Sequence, residues 1–359
     1  MKAQKNMNTL INPFSIDIDP MESLLLVNFE NDPDSIYLGF EPQIFNDDIN
    51  GKGHLVIGWR KDGKVDVFHE KDLKMVAEKY AIAGKGLNKM TLTEMKYAIC
   101  EFGQTGINCH YEFLDNNNRK ITIIIREHSK KKTKPFGLLA PMGMAAENPS
   151  ALPLVYVNDF YFVRKKHTEI KIQIDKRIHK PDVLPIPMNY QKMYFSRYSA
   201  SPVIATLNTE QNGKLNSLKI DKAAETYEDD KYIFNLQNEN GKISIKEIIR
   251  KNEKHNIKLS FSPAFPNLEN FDLKEFKGEF EIFAHKSTGK VKGNYKISKI
   301  EETIIVEMTP SKGWNPNPDR LSLRFLYTVG KIFKNWPKTY KWTAIIEKSD
   351  NEFQMTSNW

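Results

Sequence analysis

Hydrophobic and polar residues alternate along most of this chain with a period of two, the period of a strand that has one buried face and one wet face. The clearest case is His54-Leu55-Val56-Ile57-Gly58-Trp59-Arg60, followed by Lys61-Asp62-Gly63 and then by Lys64-Val65-Asp66-Val67-Phe68-His69. Asp-Gly between two such runs is the strongest short-range signal for a β-hairpin. With Arg60 paired to Lys64, Trp59 faces Val65, Ile57 faces Val67 and Leu55 faces His69. These six share one apolar face, and Val56, Arg60, Lys64 and Asp66 fall on the other. His69 is then on the apolar face and His54 is not.

A second hairpin joins Ile107–Phe113 to Ile121–Ile125 through Asp115-Asn116-Asn117-Asn118. Ile107, Cys109, Tyr111 and Phe113 share one face. The return strand is apolar on both faces, which predicts a central strand. Further strands are predicted at Leu24–Val27, at Ile36–Glu41 (ended by Pro42), over the alternation His167–Asp175, and at Met193–Tyr198 (ended by Pro202). The densest apolar run, Leu154–Val163, reads as a core strand. The C-terminal half adds short runs from Val203 to Met308, with Asn238-Glu239-Asn240-Gly241 and Ser287-Thr288-Gly289 as hairpin turns. Two stretches follow a helical period instead. One is Asp72–Lys79, with Leu73, Val76 and Tyr80 in phase. The other spans 318–334, where Leu321, Phe325, Val329, Ile332 and Phe333 mark one face and Pro337 ends the pattern.

Many short strands with frequent turn signals, and no repeated strand–helix–strand unit, predict an all-β sandwich or barrel with one or two short helices. The chain divides into an N-terminal arm over 1–22, a β-domain over 23–180, and a second β-domain over 181–359 that carries the late helix 318–334. The proline-rich Lys180–Pro187 segment is the crossing between them. In the second half, Gly278-Glu279-Phe280-Glu281-Ile282, Val291-Lys292-Gly293-Asn294-Tyr295 and the 318–334 helix with its following strands resemble the two-domain lipocalin-like proteins typified by the hydroxyneurosporene synthase (carotenoid hydratase) group. The resemblance is one of architecture across both halves and carries no signature motif; no catalytic residue of that group matches a position here. It implies two lipocalin-like antiparallel barrels or half-barrels in tandem, acting on or carrying an apolar terpenoid-like molecule.

Composition agrees with a strand-rich core. Of 359 residues, 21 are Phe and 14 are Tyr, types that favour strands. The formal net charge of +8 is spread thinly, and its densest point, Ser129–Lys134, reads as a solvated turn rather than a phosphate contact. Cys100 and Cys109 could form one bridge, but a pair of buried thiols in a reducing compartment is the favoured reading. Met1 to Pro20 lacks the apolar core of a signal peptide, and no run approaches membrane-spanning length. A soluble, cytoplasmic protein is expected, and the sequence does not specify its oligomeric state.

The familiar catalytic motifs are absent: there is no HExxH, CxxC, Gly-x-Ser-x-Gly or Walker loop. Gly84-Lys85-Gly86 lacks the spacing of a phosphate loop. His54, His69 and His110 would make a metal site only if their strands converged, and the first two fall on opposite faces, so neither metal nor cofactor is expected. The informative residues are polar ones in apolar surroundings. Asn158 and Asp159 sit within the Leu154–Val163 run, and strand neighbours face opposite ways, so one of them looks inward. A buried polar group without a partner costs a few kcal/mol. An Asp in an apolar pocket has a raised pKa, which suits general acid work. Arg197, flanked by Tyr194 and Tyr198, is either a surface Arg stacked on Tyr or a buried anchor for Asp159 or a ligand carboxylate.

The expected function is binding of a small apolar, terpenoid- or lipid-like molecule in a β-barrel cavity. Cofactor-independent hydration, cyclisation or isomerisation would make the protein a lyase or isomerase. Asp159 is then the acid, with His69 as its catalytic partner, Tyr156 and Asn158 as polar contacts, Arg197 as anchor, and Trp59, Phe160, Tyr194 and Trp314 as lining. The alternatives are a carrier without chemistry, or a β-rich binder of nucleic acid or glycan that uses Lys130–Lys134.

Overall fold

The computed structural model describes every residue except 1–6, 82, 130–133, 141–149, 189, 216, 222, 331–335 and 350–351. Most of the basic loop Lys130–Lys134, and residues 331–334 of the expected late helix, therefore lie outside the described residues. The strands are β1 (Met7–Ile11), β2 (Ile16–Asp19), β3 (Ser23–Asn28), β4 (Tyr37–Asp47), β5 (Gly51–Arg60), β6 (Val65–His69), β7 (Leu87–Leu92), β8 (Tyr97–Gly103) and β9 (Gly106–Leu114). They continue with β10 (Lys120–Glu127), β11 (Phe136–Ala140), β12 (Leu152–Arg164), β13 (Thr168–Ile174), β14 (Arg177–His179), β15 (Met193–Ser199), β16 (Val203–Leu207), β17 (Asn212–Leu215) and β18 (Ser217–Asp221). The last nine are β19 (Thr226–Glu228), β20 (Tyr232–Glu239), β21 (Lys242–Arg250), β22 (Ile257–Pro266), β23 (Glu275–Phe283), β24 (Lys290–Ile300), β25 (Thr303–Asn315), β26 (Trp342–Ser349) and β27 (Glu352–Asn358). The α-helices are α1 (Glu78–Ala81) and α2 (Leu321–Val329). Strand makes up 61% of the protein and helix 6%, which places it in the all-β class.

Among the described residues, the strands form three large sheets and a two-stranded one. The first sheet runs β2-β16-β12-β15-β3-β4-β5-β6-β7, with β11 also on β12. A five-stranded sheet runs β14-β13-β10-β9-β8, and a ten-stranded meander runs β17-β27-β26-β25-β24-β23-β22-β21-β20-β19. One sheet curls into a half-barrel and the others are open. Among the described residues, pairing is antiparallel except between β6 and β7, which run parallel.

The first sheet is the middle layer of the molecule. Its Leu24, Leu55, Ile57, Val65 and Val67 pack in one core with Ile245, Phe261, Ile282 and Trp342 of the meander. On its other face, Leu25, Val27, Phe40, Val56 and Phe68 pack in a second core with Ile107, Tyr111, Ile123 and Ile172 of the five-stranded sheet. This explains the unbroken run Leu24-Leu25-Leu26-Val27 and the triplet Leu55-Val56-Ile57. A strand covered on both sides has no wet face to alternate with.

The β5–β6 hairpin has the expected register, with Leu55 opposite His69, Ile57 opposite Val67 and Trp59 opposite Val65. The second face of this hairpin is covered rather than wet. Asp66 is fully buried there and accepts hydrogen bonds from Tyr37 Oη at 3.1 Å, Arg60 Nη1 at 2.9 Å and Asn88 Nδ2 at 2.7 Å. β10 is central in its sheet, as its two-sided apolarity predicts. Asn240 and Gly241 both adopt positive φ (51° and 79°) between paired Glu239 and Lys242, the tight turn that Asn-Gly favours.

Three local expectations change. β4 continues through Pro42, which is opposite Val56 on the β5 side. Only the β3 ladder lapses, between the pairs Leu24–Gln43 and Val27–Phe40, because proline offers no N–H there. Of the Asp72–Lys79 helix, the structure has a single turn, α1. In α2 the apolar stripe points outward: Leu321 is 82% exposed, Phe325 54% and Val329 51%, while Leu323 and Tyr327 are buried.

Two features bear on how the chain divides. The described part of the N-terminal arm is built into the fold. β1 pairs with β18 and β2 with β16, and Leu10, Ile11, Phe14 and Ile16 are buried. Past residue 180, β15 and β16 still belong to the first sheet, and the meander begins after them. Asp182 fixes the crossing by accepting hydrogen bonds from the backbone N–H groups of Glu30 (2.8 Å) and Asn31 (3.0 Å).

Candidate functional site

Asp159 and Tyr161 sit two apart on β12, so they project from the same face of the first sheet. β15 lies beside them with Tyr198 opposite Tyr161, and the two rings stack at 5.3 Å. Across from this face is the β8–β9 turn. Together they line a cleft of about 200 Å³ that is open to solvent on the turn side, where Gly103 and Gln104 are exposed. Phe102, Gly103, Gln104 and Gly106 form the turn side, and Asp159, Tyr161, Arg164, Tyr198 and Ala200 form the sheet side.

A buried ion pair holds the two sides together. Arg164, at the end of β12, places Nε 2.9 Å from Glu127 Oε1, and both side chains are almost wholly buried. Glu127, at the end of β10, also accepts from the backbone N–H of Arg164 at 2.9 Å and, through Oε2, from Ile107 N and Tyr198 Oη at 3.1 Å each. Four donors satisfy the carboxylate, which offsets much of the desolvation penalty of a buried charge. Arg164 Nη2 donates to the Thr105 carbonyl and so fixes the turn itself. Gly106 is required at this point: its φ is 124°, and a Cβ would strike the Glu127 carboxylate.

Asp159 is the carboxylate on the sheet side of this cleft. It is half-buried, and burial raises its pKa above the usual carboxylate range. Opposing this, Ser199 Oγ donates to Asp159 Oδ1 at 2.5 Å, the Ala200 backbone N–H also donates to it, and the positive charge of Lys254 lies nearby. Burial also pushes the Tyr161 and Tyr198 phenols up, so both stay neutral donors. A carboxyl whose pKa is raised by burial is a better proton donor near neutral pH than an ordinary aspartate.

The other residues singled out from the sequence fall elsewhere. Asn158 occupies the opposite face of the pleat from Asp159 and is half-buried. His69 lies on β6, five strands from β12 in the sheet order, and its Nδ1–H donates to the Glu70 carbonyl at 3.0 Å. Tyr156 is buried in the core shared with the meander, where its hydroxyl has no hydrogen-bond partner among the described residues. Phe160 packs edge-on against Phe136 at 5.0 Å. Tyr194 borders the core of the five-stranded sheet. Trp314 is in the meander, where Nε1 donates to Thr288 O at 2.8 Å and the ring meets Tyr327 at 5.1 Å.

Arg197 and Trp59 belong to a second polar cluster, on the meander side of the first sheet. Arg197 donates to Asn28 Oδ1 at 2.7 Å and to the Phe195 carbonyl at 2.9 Å, with its guanidinium 4.5 Å above the Phe195 ring. Desolvation pulls its pKa down to about 10, against the attraction of Glu41. Glu41 is buried and raised by burial, and it accepts from Gln43 Nε2 at 2.9 Å and Trp59 Nε1 at 3.1 Å. Arg197 therefore pairs with Glu41 electrostatically and does not reach Asp159. Among the described residues, no three His, Cys, Asp or Glu side chains are grouped to hold a metal ion.

Sequence reasoning missed Glu127, Arg164, Tyr161, Phe102 and the 103–106 turn. A signal was present for the first two, since each is a charged residue ending a long apolar run. No signal showed that the two runs end at the same place.

No protein-family model, curated protein or solved structure matches this chain. No helix among the described residues is long and apolar enough to cross a membrane. The fold and the site together define an all-β protein with a cleft of mixed polar and aromatic lining between two sheets.

Proposed function

We propose that the protein binds a small oxygenated molecule in the Asp159 cavity and acts on it by cofactor-independent acid–base chemistry of the hydration, cyclisation or isomerisation type. The observation that carries this reading is Asp159 itself, a half-buried carboxyl with a raised pKa that lines a solvent-open cleft beside the Tyr161 and Tyr198 phenols. Asp159 is the proton donor, Tyr161 and Tyr198 line the path, and the Gln104 amide offers hydrogen bonds to an oxygenated end.

Cavity size limits the ligand. About 200 Å³ is below the roughly 300–1,000 Å³ typical of drug-sized ligands. A terpenoid-like substrate of the class the resemblance implies would place its oxygenated end here and its apolar body beyond the mouth. The half-barrel formed by one sheet supports the lipocalin-like reading of the architecture. Native mass spectrometry of protein purified from its own host tests for a retained molecule. Asp159→Asn should abolish turnover of that molecule, and unchanged turnover would overturn the assignment.

A carrier without chemistry is the second reading. The Ser199 hydroxyl and the Ala200 N–H favour it, because both stabilise the ionised carboxylate. It predicts binding, no product on long incubation, and an Asp159 that titrates in the ordinary range.

A further inference from the structure

Cys100 on β8 and Cys109 on β9 are register partners, directly opposite across the hairpin. Both are free thiols, and the Cys109 side chain is hydrogen-bonded to that of Cys100. Opposed residues of an antiparallel pair hold their Cα atoms about 4.5–5.5 Å apart, inside the roughly 4.4–6.8 Å range found in disulfides. The two differ in access. β8 is the edge strand of its sheet and Cys100 is half-buried, whereas Cys109 lies fully buried behind it.

We propose that Cys100 and Cys109 form a reversible redox pair whose disulfide stiffens the β8–β9 hairpin, the element that walls the Asp159 cavity. The oxidant is a peroxide. Cys100 loses its proton and its thiolate attacks a peroxide oxygen, the O–O bond breaks, and the expelled hydroxide takes up that proton and leaves as one water, with Cys100 now a sulfenic acid. The Cys109 sulfur then attacks the Cys100 sulfur, expels hydroxide and loses its proton, giving the S–S bond and a second water. Two thiols and one hydrogen peroxide yield one disulfide and two waters, and a dithiol reductant reverses the change.

The link to the cavity is short. Phe102 is two residues beyond Cys100, Gly106 is three before Cys109, and both line the cavity with Gly103 and Gln104 between them. A crosslink midway along the hairpin restricts opening of the turn. This second half of the proposal rests on the cavity being a binding site.

The full chain is treated with hydrogen peroxide, excess oxidant is removed, and intact mass and peptide maps are recorded before and after dithiothreitol. The expected result is loss of two hydrogens, a peptide joining Cys100 to Cys109, and recovery on reduction. Hydrogen exchange across 102–107 should slow several-fold in the oxidised form. Cys100→Ser, at the half-buried position, should fold normally and lose the crosslink. Unchanged thiols, independent oxidation of each cysteine to sulfinic acid, or intermolecular dimers would overturn the redox pair. A crosslink with unchanged exchange would overturn its control of the hairpin. No readout involves a ligand, so failure of the cavity as a binding site leaves these results distinguishable.

Discussion

The Ser199 hydroxyl donates to Asp159 at 2.5 Å from the neighbouring strand, and it opposes the burial that raises the carboxyl's pKa. Removing the donor leaves burial less opposed. Ser199→Ala is therefore expected to move the Asp159 pKa further up, because the ionised form loses a hydrogen bond that stabilises it. Carbon-detected NMR titration of the Asp carboxyls checks this, and a downward shift would contradict it. A carboxyl whose folded pKa lies above its unfolded value gives stability that is complete below the unfolded value. That stability is lost as pH rises through the folded value. Asp159→Asn, which cannot ionise, is accordingly expected to be more stable than the wild type at neutral pH.

The Glu127–Arg164 pair and its hydrogen bonds join four strands and the turn, and both side chains are almost wholly buried. Arg164→Met leaves a buried carboxylate without its cation and should destabilise the protein by about 3–5 kcal/mol. Urea unfolding with tryptophan fluorescence measures the change. A loss under about 1 kcal/mol would mean that the pair is far better solvated than its burial indicates.

The orientation of α2 separates two stripes of one helix. Leu323→Ala should cost about 2–5 kcal/mol, since it empties a buried site. Phe325→Ser, on the exposed stripe, should stay within about 0.5 kcal/mol of wild type. Thermal or urea unfolding of both variants decides the matter, and a reversed order would restore the orientation that the helical periodicity suggested.

His285 caps a short turn by accepting the Ser287 N–H at its Nδ1, 3.2 Å away, and its ring packs against that of His255, tilted by 35° with centroids 4.7 Å apart. Burial lowers its pKa, with His255 and Lys286 adding to the effect. A histidine with a lowered folded pKa binds fewer protons when folded, so it gives stability that is present above its unfolded value, near pH 6.5. That stability is lost as pH falls from there through the lowered folded value. His285→Asn keeps a capping acceptor and should flatten this part of the stability–pH curve. Unfolding midpoints from pH 5 to 8 for the two proteins provide the check.

The parts of the fold read correctly from the sequence were those set by neighbouring residues. The register of Leu55 with His69 follows from Asp62-Gly63, and the Asn240-Gly241 turn from its own chemistry. Period-two patterning also identified the shared face of Ile107, Cys109, Tyr111 and Phe113. It could not show whether a second face is covered. Asp66 was expected among wet residues, yet it is buried because the five-stranded sheet lies over that side. The same limit applies to the candidate site. Asp159 stood out as a polar residue in an apolar run, and the structure lines a cavity with it. Its neighbours there, Phe102 and Gln104, come from a hairpin more than 50 positions earlier, so no local pattern links them to it. Arg197 and Trp59 also stood out, but they serve the Glu41 cluster on the opposite face of the sheet. In α2, Tyr327 donates to the Gly137 carbonyl at 2.8 Å and packs on Trp314. Those two contacts, rather than the more apolar stripe, orient the helix.

The most direct measurement is a fragment screen by two-dimensional NMR on the full chain, using small alcohols, ketones and carboxylic acids. The expected hits shift the amides of Gly103, Gln104 and Gly106 together with those of Asp159 and Tyr161, and Asp159→Asn weakens them at least tenfold. Shifts that scatter elsewhere, or that persist unchanged in Asp159→Asn, would contradict a ligand site at Asp159.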